Sequence, residues 1–119
     1  MDEREQLLRR AYDAFNTRDI DGTLALMHRD VDWPNALEGG RLRGHDEVRR
    51  YWLLQFATID PTVEPVAFTT DGEGRTAVDV HQVVRACAGA LLSDQHVTHV
   101  YEFRDGLIER MEIAEAETA

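Results

Sequence analysis

The chain has 119 residues, 43% of them hydrophobic, and a formal net charge of −10 at pH 7. This length and apolar share favour one domain over residues 1–119 with a packed core, and they argue against disorder. Nucleic acids and anionic membranes attract basic surfaces, so the negative charge argues against both as partners. Cys87 is the single cysteine and has no internal disulfide partner. Because neither a signal peptide nor a long apolar run is visible, we expect a cytoplasmic protein.

The N-terminal third has the periodicity of helices. One helical face carries Leu7, Leu8, Ala11, Tyr12 and Phe15. This spacing predicts a helix over residues 2–17. A break at residues 16–19 leads to a second short helix, for which Asp21 is the expected N-cap. Residues 30–35 are predicted to form a short strand that Pro34 interrupts.

The middle of the chain combines a loop with a third helix. Residues 39–44 have the glycine and arginine content of a loop. The helix is predicted to start near His45 or Asp46 and to end before Pro61. Its inward stripe consists of Val48, Tyr51, Trp52, Gln55 and Ile59.

The C-terminal half reads as an antiparallel sheet. Strands are predicted at residues 62–70, 76–88, 91–104 and 107–114, joined by glycine-containing turns. Residues 114–119 are expected to be a frayed end. Helices followed by a meander of long strands predict an α+β fold, in which a curved, mostly antiparallel sheet forms a cone around three N-terminal helices.

The strand at residues 91–104 carries the sharpest functional signal. Alternation puts His99 and Tyr101 on one face with Val97 and Phe103, which is apolar apart from the imidazole and the phenol. A buried imidazole among aromatic rings is costly unless it has a hydrogen-bond partner. His81 lies on the preceding strand, in a more polar setting. His99 is therefore predicted to be the polar focus of an apolar cavity.

Three stretches resemble the nuclear transport factor 2-like superfamily: residues 7–22, 41–52 and 103–108. The resemblance implies a cystatin-like α+β barrel of the SnoaL-like or ketosteroid-isomerase-like kind, and a homodimer through the outer sheet face. Val80, Val84 and Val100 are apolar residues on faces that such a dimer would use. One scaffold hosts several chemistries here, including isomerases, polyketide cyclases, scytalone dehydratase and limonene epoxide hydrolase.

The residues of ketosteroid isomerases do not carry over as a set. The aspartate base of those enzymes falls at Asn35, and an amide cannot take up a proton. Their oxyanion tyrosine falls at Ala11, one residue before Tyr12, and their oxyanion aspartic acid falls near His99. Asp32 would replace the base only if the strand register differed from this match.

Two further resemblances suggest acid–base residues. SnoaL-like cyclases place an acidic residue on the last strand, and Glu112 is the matching carboxylate. A one-residue slip of that strand would instead turn Glu112 to the outer face. Scytalone dehydratase relies on pocket histidines, a role that His99 would match, because imidazole titrates near neutral pH. The alternative for His99 is a hydrogen-bonded core residue.

The sequence thus yields one set of candidate site residues. The predicted catalytic residues are His99, Tyr101 and Glu112. The predicted ligand-binding residues are Tyr12, Trp33, Asn35, Trp52, His81 and Phe103. Four of them have structural alternatives. Asn35 would also cap the turn after Pro34, His81 would also face a dimer partner, and Trp33 and Trp52 would also serve as core residues.

The sequence is consistent with two functions. The first is a cofactor-independent isomerase, cyclase or dehydratase that acts on a small hydrophobic carbonyl or hydroxy compound by proton transfer. The second is a non-catalytic domain that binds a small ligand or serves to dimerise. No cofactor or metal is expected, because His-x-x-x-His, Cys-x-x-Cys and phosphate-binding glycine loops are missing from the sequence. A carboxylate or phenol within reach of His99 would favour chemistry over binding.

Overall fold

The structure is a computed structural model that describes residues 3–36 and 38–114. The helices are α1 (Glu3–Asn16), α2 (Ile20–Leu24) and α3 (Gly44–Thr58). The strands are β1 (Met27–Pro34), β2 (Arg41–Arg43), β3 (Ile59–Thr70), β4 (Thr76–Ala86), β5 (Leu91–Arg104) and β6 (Leu107–Ala114). The predicted end at residues 114–119 lies outside the described residues after Ala114.

One curved sheet joins the strands in the order β2-β1-β6-β5-β4-β3. Neighbouring strands are antiparallel except β1 and β6, which are parallel. Buried apolar residues of α1 and α3 form one cluster with the inward residues of the sheet, among them Leu8, Val48, Trp52, Val78 and Ile108. The predicted α+β fold is confirmed.

The strand boundaries differ from the sequence prediction at three places. Strand β1 starts at Met27 and ends with Pro34, which therefore terminates the strand and does not interrupt it. The predicted loop at residues 39–44 contains β2, whose Arg43 pairs with Asp32 of β1. Strand β3 starts at Ile59 and contains Pro61 and Pro65. Proline is tolerated there because β3 is at the edge of the sheet, and the register shifts immediately after Pro65.

The end of α1 is fastened to β3 by one side chain. The Asn16 amide donates from Nδ2 to the carbonyl oxygen of Val63 at 2.7 Å, and its Oδ1 accepts from the Val63 N–H at 2.9 Å. Both backbone groups of Val63 are thereby satisfied by the helix. The bond pair fixes the height and rotation of α1, and with them the position of Tyr12 one turn earlier.

Strand alternation separates the sheet into two faces. Val78 and Val80 of β4 and His99 and Tyr101 of β5 are buried on the inner face. Val80 is fully buried in the core, so it does not contribute to an outer surface as the sequence suggested. Among the described residues, no helix combines the length and apolar character needed to cross a membrane.

Candidate functional site

A cavity of about 60 Å³ lies between α1, α3 and the inner face of the sheet. Aliphatic and aromatic side chains form most of its wall. The lining residues are Ala11, Tyr12, Phe15, Thr23, Met27, Trp33, Trp52, Val63, His99, Tyr101 and Ile108. The Thr23 hydroxyl is already bonded to the carbonyl oxygen of Asp19 at 2.8 Å. The polarity of the cavity therefore comes chiefly from two phenols and one imidazole.

These three groups, Tyr12, His99 and Tyr101, are hydrogen-bonded to one another and are called the polar triad below. The Tyr101 hydroxyl donates to the Tyr12 hydroxyl oxygen at 2.8 Å. The Tyr12 oxygen lies 2.8 Å from His99 Nδ1. The Tyr12 and His99 rings are nearly parallel, with centroids 5.9 Å apart. Because α1 supplies Tyr12 and β5 supplies the other two, the triad depends on how the helix sits on the sheet.

Burial determines the ionisation of the polar triad. Desolvation lowers the pKa of His99 from 6.5 to about 4, so the imidazole is neutral at pH 7. Burial also raises the pKa of Tyr101 and of Tyr12 above the usual value of a phenol. Charge on the neighbouring Tyr101 adds to the rise at Tyr12. The triad is therefore a set of three neutral hydrogen-bonding groups near neutral pH.

Aromatic rings set the shape and the size limit of the cavity. Trp33 meets Trp52 edge to face with centroids 5.6 Å apart, and Phe15 meets Trp52 in a similar way at 5.6 Å. Trp52 is almost fully buried, whereas Phe15 and Trp33 are half-buried. Since a cavity that holds benzene has about 150 Å³, a ligand larger than a few heavy atoms would have to displace a wall. The half-buried Phe15 and Trp33 are the less enclosed of these aromatic side chains.

Five of the predicted site residues line this cavity: Tyr12, Trp33, Trp52, His99 and Tyr101. The structure therefore brings together the helix residue, the two indoles and the two inward residues of β5. Their assignment to catalysis or ligand binding stays a prediction.

Glu112 is not among the cavity residues. Its carboxylate lies on the outer face and accepts hydrogen bonds from the Arg110 guanidinium at 2.6 and 3.2 Å. These contacts with Arg110 hold the pKa of the exposed Glu112 carboxyl below its usual value. The outer-face register is thus the one observed, and the predicted placement of Glu112 beside His99 is wrong. Alternation gives the inner face to Met111, its buried neighbour.

Asp32 also lies outside the cavity. Its carboxylate accepts from Arg41 Nε at 2.7 Å and is ion-paired with Arg110, so it ties β1 to β2 and β6. Arg43 adds a third guanidinium at 3.7 Å, and a carboxylate held by three guanidiniums on the outer face is a structural anchor. It does not replace the missing base of the ketosteroid isomerases.

His81 faces away from the cavity as well. It pairs across the strands with His96, and their rings stack with centroids 5.0 Å apart. Its Nε2 lies 2.6 Å from an Asp94 carboxylate oxygen. The predicted ligand-binding placement of His81 is wrong, because the even-numbered residues of β4 are the buried ones. The other interpretation, an outer-face residue available to a partner, fits its position.

Asn35 and Phe103 are the remaining predicted site residues that do not line the cavity. The Asn35 side-chain oxygen accepts from the Glu38 N–H at 3.0 Å, so the residue caps the turn after Pro34. Phe103 keeps the inner face that alternation predicts and packs against the hydrophobic core, but it is not among the residues that line the cavity. Its ring lies instead 5.4 Å from the guanidinium carbon of Arg4. Both predicted ligand-binding placements are wrong.

Several lining residues were not singled out as site residues from the sequence. Phe15, Met27, Val63 and Ile108 read as ordinary apolar core positions, and their composition gives no other signal. For Phe15 the sequence offers one indication that it lines the cavity, namely its position on the predicted inward face of the first helix. Asn16 carried no clue to its bonds with Val63, because the two residues meet only in the folded chain.

A metal centre has no ready donor set in the part of the chain that the structure describes. No three His, Cys, Asp or Glu side chains converge within residues 3–36 and 38–114. The cavity itself offers a single imidazole, His99, whose Nδ1 is bonded to Tyr12.

A curved, mostly antiparallel sheet with N-terminal helices on its inner face defines a domain of the nuclear transport factor 2-like type. The SnoaL-like domain family matches residues 8–111, and the chain belongs to this family. No curated protein matches the chain.

Solved structures share the fold over nearly the whole chain. An NTF2-like protein of unknown function from Burkholderia pseudomallei is 30% identical, with a TM-score of 0.84 over 98% of this chain and 92% of that chain. TerC, co-crystallised with polyporic acid, is 25% identical, with a TM-score of 0.83 over 97% and 92%. An LEH-like epoxide hydrolase from M. tuberculosis is 18% identical, with a TM-score of 0.79 over 96% and 83%, and shows the fold alone.

Proposed function

We propose that the protein is a cofactor-independent enzyme of the isomerase, cyclase or dehydratase kind, acting on a small apolar carbonyl or hydroxy compound. The observation that carries this proposal is the polar triad inside an otherwise apolar cavity. A phenol lies 2.8 Å from His99, so the imidazole has the oriented partner that a catalytic histidine needs. The 25% identical TerC was co-crystallised with polyporic acid, which supports a small organic ligand.

The chemistry would be stabilisation of charge on a substrate oxygen. His99 is the polar group that lines the cavity and retains an uncommitted ring nitrogen. A neutral imidazole in a water-poor site polarises a carbonyl effectively, because no solvent competes for the oxygen. The described lining residues include no carboxylate, so a proton leaving carbon would pass to another atom of the substrate or to a single water molecule that enters the cavity with it.

Deuterium exchange tests this proposal without knowledge of the natural substrate. Small ketones in D₂O are incubated with the wild-type protein, and loss of the proton signal next to the carbonyl is followed by NMR. We expect exchange with the wild type, loss of exchange in His99→Ala, and retention in His81→Ala, whose side chain lies on the outer face. Equal exchange in the wild type and His99→Ala would contradict the catalytic assignment.

A second function is favoured by the same lining. Because the described cavity residues supply no carboxylate base, the cavity would also serve as a binding site for a small apolar ligand without turnover. Saturable binding of a ketone that depends on His99, with no deuterium exchange, would favour this function.

We also propose that the protein forms a homodimer through the outer face of β4 and β5. Val83, Val100 and the stacked His81–His96 pair lie on this face. The two valine side chains cost less to remove from water than carboxylates do, and the Asp94 carboxylate on the same face is already bonded to His81. The family resemblance motivates the same assembly.

A further inference from the structure

The hydrogen bonds of the polar triad form one unbranched series. Tyr101 contacts only Tyr12, and His99 Nδ1 contacts only Tyr12, among the hydrogen bonds of the described residues. The Thr76 hydroxyl, on the residue paired with Tyr101 in the sheet, is buried without a partner and so does not accept from it. Tyr12 is thus the shared partner in both hydrogen bonds, and it can donate its single hydroxyl proton to only one of them.

Three neutral proton arrangements fit this series, because the Tyr12 oxygen can also accept from both Tyr101 and Nδ1, which leaves the Tyr12 hydroxyl proton without an acceptor among the described residues. In the first, Tyr101 donates to Tyr12, Tyr12 donates to His99 Nδ1, and the imidazole proton is on Nε2. In the second, Nδ1 donates to Tyr12, Tyr12 donates to Tyr101, and Nε2 is a free acceptor. The second arrangement leaves the Tyr101 hydroxyl proton without an acceptor at a fully buried site, whereas the first uses both hydroxyl protons.

The cost of a buried, unpaired donor decides between them. An unsatisfied buried hydroxyl is unfavourable because it has lost its hydrogen bonds to water and gained none. Nε2 has no partner among the described residues, yet it is not one of the fully enclosed unpaired atoms. Because His99 lines the cavity and its Nδ1 is bonded to Tyr12, Nε2 is the ring nitrogen left to meet a ligand there.

We infer that His99 is held with its proton on Nε2 and that the cavity selects ligands with an acceptor oxygen, such as a carbonyl. Tyr12 and Tyr101 are then positioning residues, which act by fixing the imidazole tautomer. The half of this inference that concerns the ligand rests on the proposed small-molecule function. The half that concerns the tautomer stands on the protein alone.

Nitrogen NMR of ¹⁵N-histidine-labelled protein at pH 7 tests the tautomer. We expect the His99 resonances of wild-type protein to show a protonated Nε2 and an unprotonated Nδ1. Tyr12→Phe should move both nitrogens toward the averaged shifts of an unconstrained imidazole. The control Tyr51→Phe, which removes a phenol away from His99, should leave them unchanged. A protonated Nδ1 in the wild type, or unchanged shifts in Tyr12→Phe, would overturn the tautomer assignment.

Two molecules of similar shape test the ligand class. Acetone and isobutene are titrated into the labelled protein, because each has only four heavy atoms. We expect acetone to bind several-fold more tightly and to shift the Nε2–H resonance, and isobutene to leave that resonance in place. Equal affinity would overturn acceptor selection while leaving the pocket intact. Binding by neither compound would contradict both acceptor selection and the proposed function, and the tautomer result would stand on its own spectrum.

Discussion

At the scale of single residues, the decisive feature is a histidine kept neutral by burial. His99 is 6% exposed, and its one hydrogen bond among the described residues comes from a phenol with no formal charge. Nothing in the triad compensates a positive imidazolium, so protonation is disfavoured. This makes His99 a hydrogen-bonding group over the physiological pH range and couples its titration to folding.

The stability of the fold should therefore depend on the pH through His99. Burial lowers the folded-state pKa of His99 to about 4 from the usual 6.5. Between these values the unfolded state binds more protons, so the free energy of unfolding falls as the pH falls. We expect the contribution of His99 to the free energy of unfolding to be fully present above about pH 6.5. On acidification to about pH 4 this contribution should fall by about 3 kcal/mol.

Urea unfolding across this pH range checks the expectation. His99→Gln is the matched variant, since glutamine does not titrate but still offers an acceptor to Tyr12. The free energy of unfolding of the wild type, relative to that of His99→Gln, should fall steadily as the pH falls from about 6.5 to about 4. Parallel pH curves for the two proteins would show that His99 is not the coupled group.

The hydroxyl groups of Tyr12 and Tyr101 should contribute different amounts to the free energy of unfolding. Tyr12→Phe leaves the Tyr101 hydroxyl and His99 Nδ1 both unpaired, and we expect it to lower the free energy of unfolding by about 1–3 kcal/mol. Tyr101→Phe keeps the bond between Tyr12 and His99, and the expected loss is about 1 kcal/mol or less.

Chemical denaturation of the two single variants and the double variant measures the coupling. Because both substitutions interrupt one series of hydrogen bonds, the double variant should lose less stability than the sum of the single losses. Additive losses, or a larger loss for Tyr101→Phe than for Tyr12→Phe, would contradict the observed connectivity.

At the scale of elements, the site depends on the docking of α1 against the sheet. Asn16 joins the end of this helix to both backbone groups of Val63 on β3. Tyr12 lies one turn before Asn16 and Phe15 immediately before it, and both line the cavity. Loosening this junction should disturb the triad without touching any of its members.

We expect Asn16→Ala to lower the free energy of unfolding by about 1–3 kcal/mol, because the Val63 N–H and carbonyl both lose their partner. The same variant should shift the His99 nitrogen resonances, since Tyr12 is no longer held in place. Thr17→Ala is the control, because its exposed hydroxyl bonds only to carbonyls of its own helix, and its effect should stay within about 0.5 kcal/mol. An unshifted His99 resonance in Asn16→Ala would separate the junction from the triad.

The elements themselves were largely predictable from the sequence, because apolar periodicity dictates helices and strands locally. Alternation on β5 correctly aimed His99 and Tyr101 inward. Alternation also predicted the inner face for Phe103, but not its place outside the cavity. The family match failed for Glu112, because it placed the residue one position away from the inner face. A single-residue change in register reverses a side chain, and periodicity does not reveal where such a change occurs.

The contacts between elements were less predictable. The bond between Tyr12 and His99 joins residues 87 positions apart, and the two bonds of Asn16 reach 47 positions along the chain. Such pairs follow from how α1 rests on the sheet, which local patterns do not encode. The sequence named Tyr12 as a neighbour of His99 only through the family match, and it gave no hint of Asn16.

At the scale of the whole molecule, the sheet separates two kinds of surface. The inner face encloses the cavity, and the outer face carries ion pairs around Asp32 at one side and the stacked His81–His96 pair at the other. A net charge of −10 opposes self-association, so a dimer needs a region where carboxylates are sparse or paired. The centre of the outer face of β4 and β5 is the region where we expect it.

We expect light scattering at micromolar concentration to give twice the chain mass of 13.6 kDa. Val100→Glu should shift the mass toward the monomer, because it places an unpaired carboxylate beside Glu112 on the proposed interface. Leu53→Glu, on an exposed position of α3, should leave the mass unchanged. A wild-type protein that is monomeric under these conditions would contradict the proposed assembly.

A ligand titration tests most directly whether His99 is the polar focus of a small-molecule cavity. A panel of small ketones and alcohols is screened by NMR against the wild type, His99→Ala and His81→Ala. We expect ligands that bind the wild type and His81→Ala alike, and that lose most of their affinity in His99→Ala while this variant remains folded. Ligands that bind His99→Ala as tightly as the wild type, or that perturb His81 and not His99, would contradict this role of His99.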